Sequence, residues 1–122
     1  MTQADILYLP LPDGFQGKAA LAGKHFEYLG SGRPILASAW PDSETARLAE
    51  LVGGVRRVDP GNVLALADTL AACLQAAAAG RTPDLAGAIC QDVLTRYTRT
   101  ETTRSLAAVL TAAIDGRLRK PA

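Results

Sequence analysis

Short unbroken apolar runs alternate along this chain with longer stretches whose apolar residues recur every three or four positions. Ile6-Leu7-Tyr8-Leu9 is the first run, closed by Pro10. Hydrophobicity without alternation predicts a strand covered on both faces, as in a parallel sheet. Pro10 to Gly17 holds two prolines and two glycines and reads as an ordered loop. A helix is expected between Lys18 and Ser31, stopping at Gly32. Pro34 then forces Arg33 into an extended conformation, so a second strand follows at once over Ile35 to Ser38.

Pro41-Asp42-Ser43 starts the next helix, with Asp42 or Ser43 as N-cap and Glu44 in the favoured first turn. Leu48, Leu51 and Val52 give it an apolar stripe, and Gly53-Gly54 ends it. Val55 to Val58 is a third strand, interrupted by Arg56 and Arg57 and therefore read as an edge. Asp59-Pro60-Gly61-Asn62 caps a long helix whose apolar positions, Val63, Leu66, Ala67, Leu70, Cys73 and Leu74, predict one buried face. Thr82-Pro83 opens another helix with Leu85, Ile89, Val93 and Leu94 turned inward. Thr100 caps the last, with Leu106, Val109, Leu110, Ala113 and Ile114 as its buried face.

Strands alternating with helices imply a parallel sheet with right-handed crossovers. The fold expected is α/β: a three-layer Rossmann-like half-domain whose short parallel sheet of about three strands is flanked by four or five helices. Residues 1–122 read as a single domain, with the last helices over about 83–117. The helical mass looks built for a larger sheet, which is why half of a doubly wound domain is expected.

Composition narrows the function classes. The chain is 48% hydrophobic and 20% charged with a net charge of +1, and its cations are scattered. Phosphate-backbone binding needs clustered Lys and Arg, so nucleic acid is not an expected partner. Cys73 and Cys90 lie far apart with no His nearby, so both read as small core hydrophobes and neither metal nor cofactor is expected. No apolar run reaches the length of a membrane span, and the N-terminus lacks the layout of a secretion signal. A soluble, cytoplasmic chain is expected, touching a membrane peripherally if at all.

In open parallel sheets ligands sit beyond the carboxyl ends of the strands, where helix N-termini point their free amides. Here that place is Pro12-Asp13-Gly14-Phe15-Gln16-Gly17 and the helix start after it. Two glycines allow close backbone approach to a phosphate, and Lys18 and Lys24 supply cations at an end where the helix dipole disfavours them unless an anion visits. An exposed loop with two surface lysines satisfies the same pattern. Glu27, one turn after Lys24, either accepts hydrogen bonds from vicinal ribose hydroxyls or is an exposed glutamate paired with Lys24. His25 lacks a paired Asp or Ser and reads as a surface or packing residue. Trp40 either lines the pocket mouth or packs between domains, and Arg33 belongs to the opposite end of the sheet. No residue is assigned a catalytic role.

Ala4-Asp5-Ile6-Leu7-Tyr8-Leu9-Pro10, followed by Lys24-His25-Phe26-Glu27-Tyr28-Leu29-Gly30-Ser31-Gly32-Arg33-Pro34-Ile35-Leu36-Ala37, resembles a glycosyltransferase of the GT-B fold. The resemblance is to the second half of the C-terminal, donor-binding domain in the large group 1 nucleotide-sugar family. It continues through Pro41-Asp42-Ser43-Glu44-Thr45-Ala46, Val58-Asp59-Pro60-Gly61-Asn62 and Tyr97-Thr98-Arg99, and so covers nearly the whole chain. The resemblance implies that backbone amides from Gly14 to Ala19 meet the diphosphate of a nucleoside diphosphate sugar and that Glu27 takes the ribose hydroxyls. The donor set it implies is therefore Gly14, Phe15, Gln16, Gly17, Lys18, Ala19, Lys24 and Glu27. Many members carry a second glutamate eight positions before the first, against the sugar; that position here is Ala19. The family's acceptor domain and the earlier half of its donor domain are not in this chain, so the isolated 122 residues are expected to be inactive and to need a missing N-terminal part.

Two other classes compete. A phosphoacceptor signalling domain would hold its acceptor where Asp59 lies, yet the first strand ends in Leu-Pro rather than paired acids. A non-catalytic interaction module would use the Ile6 to Leu9 strand as an exposed edge, pairing with another copy as a homodimer.

Overall fold

The computed structural model describes residues 3–12, 14–19, 23–85 and 87–116. The chain divides into two compact units, Met1–Cys90 and Gln91–Ala122. The first runs β1 (Leu7–Pro10), α1 (Gly14–Ala19), α2 (Gly23–Gly30), β2 (Ile35–Ser38), α3 (Glu44–Val52), β3 (Val55–Val58) and α4 (Val63–Ala78). The second holds α5 (Gln91–Thr95) and α6 (Arg99–Ile114).

The three strands are parallel in the order β1-β2-β3, the three-layer, Rossmann-like α/β half-domain that the alternation of patterns predicts. Leu7, Ile35 and Val55 stand side by side, as do Leu9, Ala37 and Arg57. The middle strand is buried along its whole length, as a strand between two helical layers must be. β1 differs from expectation: Leu7 and Leu9 are buried, but Tyr8 and Pro10 are exposed. Its run of apolar residues is covered on one face only, and β1 is an edge strand in this sheet.

α3 is the best anchored helix. Ser43, in an extended conformation, accepts from the Ala46 N–H at 3.1 Å and donates its own hydroxyl to Trp40 O at 2.6 Å. Thr45, Ala46, Leu48, Ala49 and Val52 are buried, the three-and-four spacing of one helical face. Leu51, expected on that stripe, falls off it and is exposed. Gly53 and Gly54 both adopt positive φ, 74° and 70°, which ends the helix and turns the chain into β3.

The two glycines also make room. A Cβ on Gly53 would sit 2.6 Å from Ala88 O, and one on Gly54 would run into the Ile89 side chain. The segment after α4 therefore lies flush against the start of β3, held by Cys90 N–H donating to Val52 O at 2.6 Å. That contact explains a correction. Residues 82–85 and 87–90 are not helical, and the helix expected from Thr82-Pro83 begins only at Gln91. Pro83 is buried, Gly87 takes φ 71°, and the chain is laid out along the sheet rather than coiled. Cys73 is buried as expected, whereas Cys90 is exposed.

The long helices correct the pattern further. α4 buries Cys73 and Ala76, with Leu66 and Thr69 half-buried on the same stripe; Val63, Leu70 and Leu74 are exposed. α6 is capped by Thr98, not Thr100, through acceptance from Glu101 N–H at 3.3 Å. None of its residues is buried, and Leu106, Val109, Leu110, Ala113 and Ile114 are exposed. α5, five residues long, offers only Val93 and Leu94 as half-buried partners within that unit. Among the described residues no helix is long and apolar enough to cross a membrane.

Candidate functional site

The carboxyl ends of β1 and β2 are Pro10 and Ser38, and the segments leaving them build the rim where a ligand of such a sheet would sit. β1 leads into α1. The stretch expected as a loop up to Gly17 is helical from Gly14, and the single helix expected over Lys18 to Ser31 is instead α1 followed by a separate α2. Gly14 opens α1 with φ 81°. Gly17 is required by contact rather than by φ, since a Cβ there would overlap the Pro12 carbonyl oxygen.

A helix spends its amides internally beyond the first turn, so Lys18 and Ala19 N–H groups close i→i−4 bonds while those of Gly14, Phe15 and Gln16 stay free of intrahelical partners. Gln16 and Ala19 are exposed. Asp13 and the Phe15 side chain lie outside the described residues.

Lys18 is the candidate that the fold draws into contact with the rim. Its Nζ lies 2.8 Å from Asp42 Oδ2, both side chains being substantially exposed, and 5.9 Å from the centroid of the Trp40 ring. Lys18 thus ties α1 to the turn between β2 and α3. The hydrogen bond from Lys18 holds the Asp42 carboxyl below its ordinary value. Asp42 was legible only as a helix-cap candidate; it stands twenty-four positions from Lys18, and no local spacing signals a pair that distant. Arg57 is a second unforeseen tie, donating from Nη1 to Ala39 O at 2.9 Å just past the end of β2.

α2 carries Lys24 in its first turn and Glu27 three residues on, about 4.5 Å further along the axis. Both are exposed. Glu27 makes no ion pair with Lys24 or with any other described residue. Its carboxylate is exposed, and no hydrogen bond to it is made among the described residues. α2 follows α1 and leads into β2, and Glu27 lies in the middle of it. Arg33, half-buried, precedes β2 at the opposite end, as expected.

His25, between these two, is wholly buried, and neither ring nitrogen has a hydrogen-bond partner. Burial pushes its pKa below the usual 6.5. A sealed, neutral imidazole packs; it has no path to a proton on a ligand. Thr45 Oγ1 and Trp40 Nε1 are likewise buried without partners. Asp59 Oδ1, at the end of β3, accepts from Gly61 N–H at 2.9 Å and shapes the turn into α4, which Asn62 caps through Ala65 N–H. Among the described residues no three His, Cys, Asp or Glu side chains are grouped to hold a metal ion. No protein-family model, curated protein or solved structure matches the chain.

Proposed function

We propose that this chain is the donor-binding segment of a glycosyltransferase that moves a sugar from a nucleoside diphosphate sugar to an acceptor. The observation that carries the reading is Glu27: an exposed carboxylate, in no ion pair among the described residues, on the helix that leads into the middle strand of a parallel sheet. A carboxylate so placed accepts both vicinal hydroxyls of a ribose. In this reading the diphosphate is met by the first-turn amides of α1 and by the Lys18 and Lys24 ammonium groups, and it competes with Asp42 for Lys18. The ordered resemblance from Ala4 to Arg99 supports the same assignment. The reading gives these residues donor binding and leaves turnover to a cleft between domains, where positioning and charge stabilisation of the leaving diphosphate do the work.

The test is calorimetric titration of the protein with uridine, guanosine and adenosine diphosphate sugars. One of them should bind, and Glu27→Ala should weaken it by about 1.5–3 kcal/mol, the loss of a charge-assisted contact. An affinity indifferent to Glu27→Ala removes Glu27 from the site, and silence toward all three bases removes the function.

A further inference from the structure

β3 is an edge strand whose outward side is open. Ile35 N–H donates to Gly54 O and Ala39 N–H to Val58 O, so Gly54, Arg56 and Val58 turn their backbone groups toward β2. Val55 and Arg57 therefore turn their N–H and C=O groups away from the sheet, and no described residue hydrogen-bonds them. Their spacing, about 6.6 Å, is that of alternate residues in any extended strand.

This edge lies on a cleft of about 500 Å³ lined also by α4, through Asn62, Ala65 and Thr69, and by Leu85. An edge strand facing a helix across a groove is the geometry that receives a peptide as an added strand, with backbone bonds for affinity and flanking side chains for choice. The charge of the occupant follows from the lining. Arg56 is exposed and forms no ion pair among the described residues, and Arg57 spends one of its donors on Ala39 O. The single acid on the groove, Asp59, already holds the Gly61 N–H. A second copy is a poor guest, since antiparallel pairing of β3 with itself sets arginine opposite arginine, a like-charge pair that destabilises a ladder.

We propose that the β3–α4 groove binds an extended acidic peptide segment of another protein, added to the sheet as a fourth strand beside β3. The probe is a short blocked peptide of alternating Glu and Val, titrated into isotope-labelled protein and followed by amide resonances. Saturable shifts at Val55 and Arg57 are expected. N-methylation of alternate peptide nitrogens should weaken binding about ten-fold or more, as the loss of two backbone hydrogen bonds implies. Arg56→Glu should abolish saturation, while Arg99→Glu, on α6, should leave it unchanged.

Equal binding of the N-methylated peptide would reduce the effect to charge attraction and overturn the proposal. So would equal binding of the corresponding Lys-Val peptide, or no saturable shift along β3. Protection of the Val55 and Arg57 amides from exchange in peptide-free, dimeric protein would give the edge to a second copy, which also overturns it.

Discussion

α3 and α6 obey the same spacing rule and meet opposite fates. α3 buries five of its residues in nine, whereas α6, sixteen residues long, buries none. Yet Leu106, Val109, Leu110 and Ile114 make as regular a stripe as Leu48 and Val52 do. Amphipathic spacing is a property of a helix, while burial is a property of what stands across from it. α3 joins two adjacent parallel strands, so its connection lays it on the sheet whatever its composition. α6 joins no strands among the described residues, so no crossover sets what its stripe faces.

The sharpest way to break this contrast is at the sheet that α3 helps to cover. Leu36, wholly buried on β2, should cost about 2–5 kcal/mol on substitution by Ala, read from urea unfolding. A loss under about 1 kcal/mol would mean the layer yields and the contrast is one of degree. α2, which likewise crosses between parallel strands, gives an intermediate test through His25. Its folded-state pKa is depressed by burial, so the unfolded chain binds the extra proton. The stability it protects is complete above the unfolded value of about 6.5 and falls away as the pH drops below it. Urea midpoints taken from about pH 7.5 to pH 5 should therefore decline. His25→Phe should flatten the slope; a wild-type profile already flat would place the imidazole in water. The smallest effect belongs to α6. Leu110→Ser should move stability by no more than about 0.5 kcal/mol, and a loss several times larger would show that the stripe is covered.

What could be read in the residues follows the same division. Strand β2, the Ser43 cap and the Gly53-Gly54 stop were legible because each depends on neighbours within a turn: a buried run, a hydroxyl before Glu44, two residues free to take positive φ. The Asn62 cap was legible for the same reason. The break between α1 and α2 was not, because Gly17 answers to the Pro12 carbonyl and not to any helical period. The stretch from Thr82 to Cys90 carries helix-compatible spacing, but Ala88 and Ile89 are held by contact with Gly53 and Gly54, some thirty positions earlier. The positions of Lys24 and Glu27 on one helix followed from spacing. The partnership of Lys18 with Asp42 required β1 and β2 to be adjacent first, and that is a property of the assembled sheet.

The missing side chains at Gly53 and Gly54 have one more effect. They let Ala88, Ile89 and Cys90 close against the junction of α3 and β3, joining two stretches that lie far apart in sequence. A side chain at either position would prise those two stretches apart.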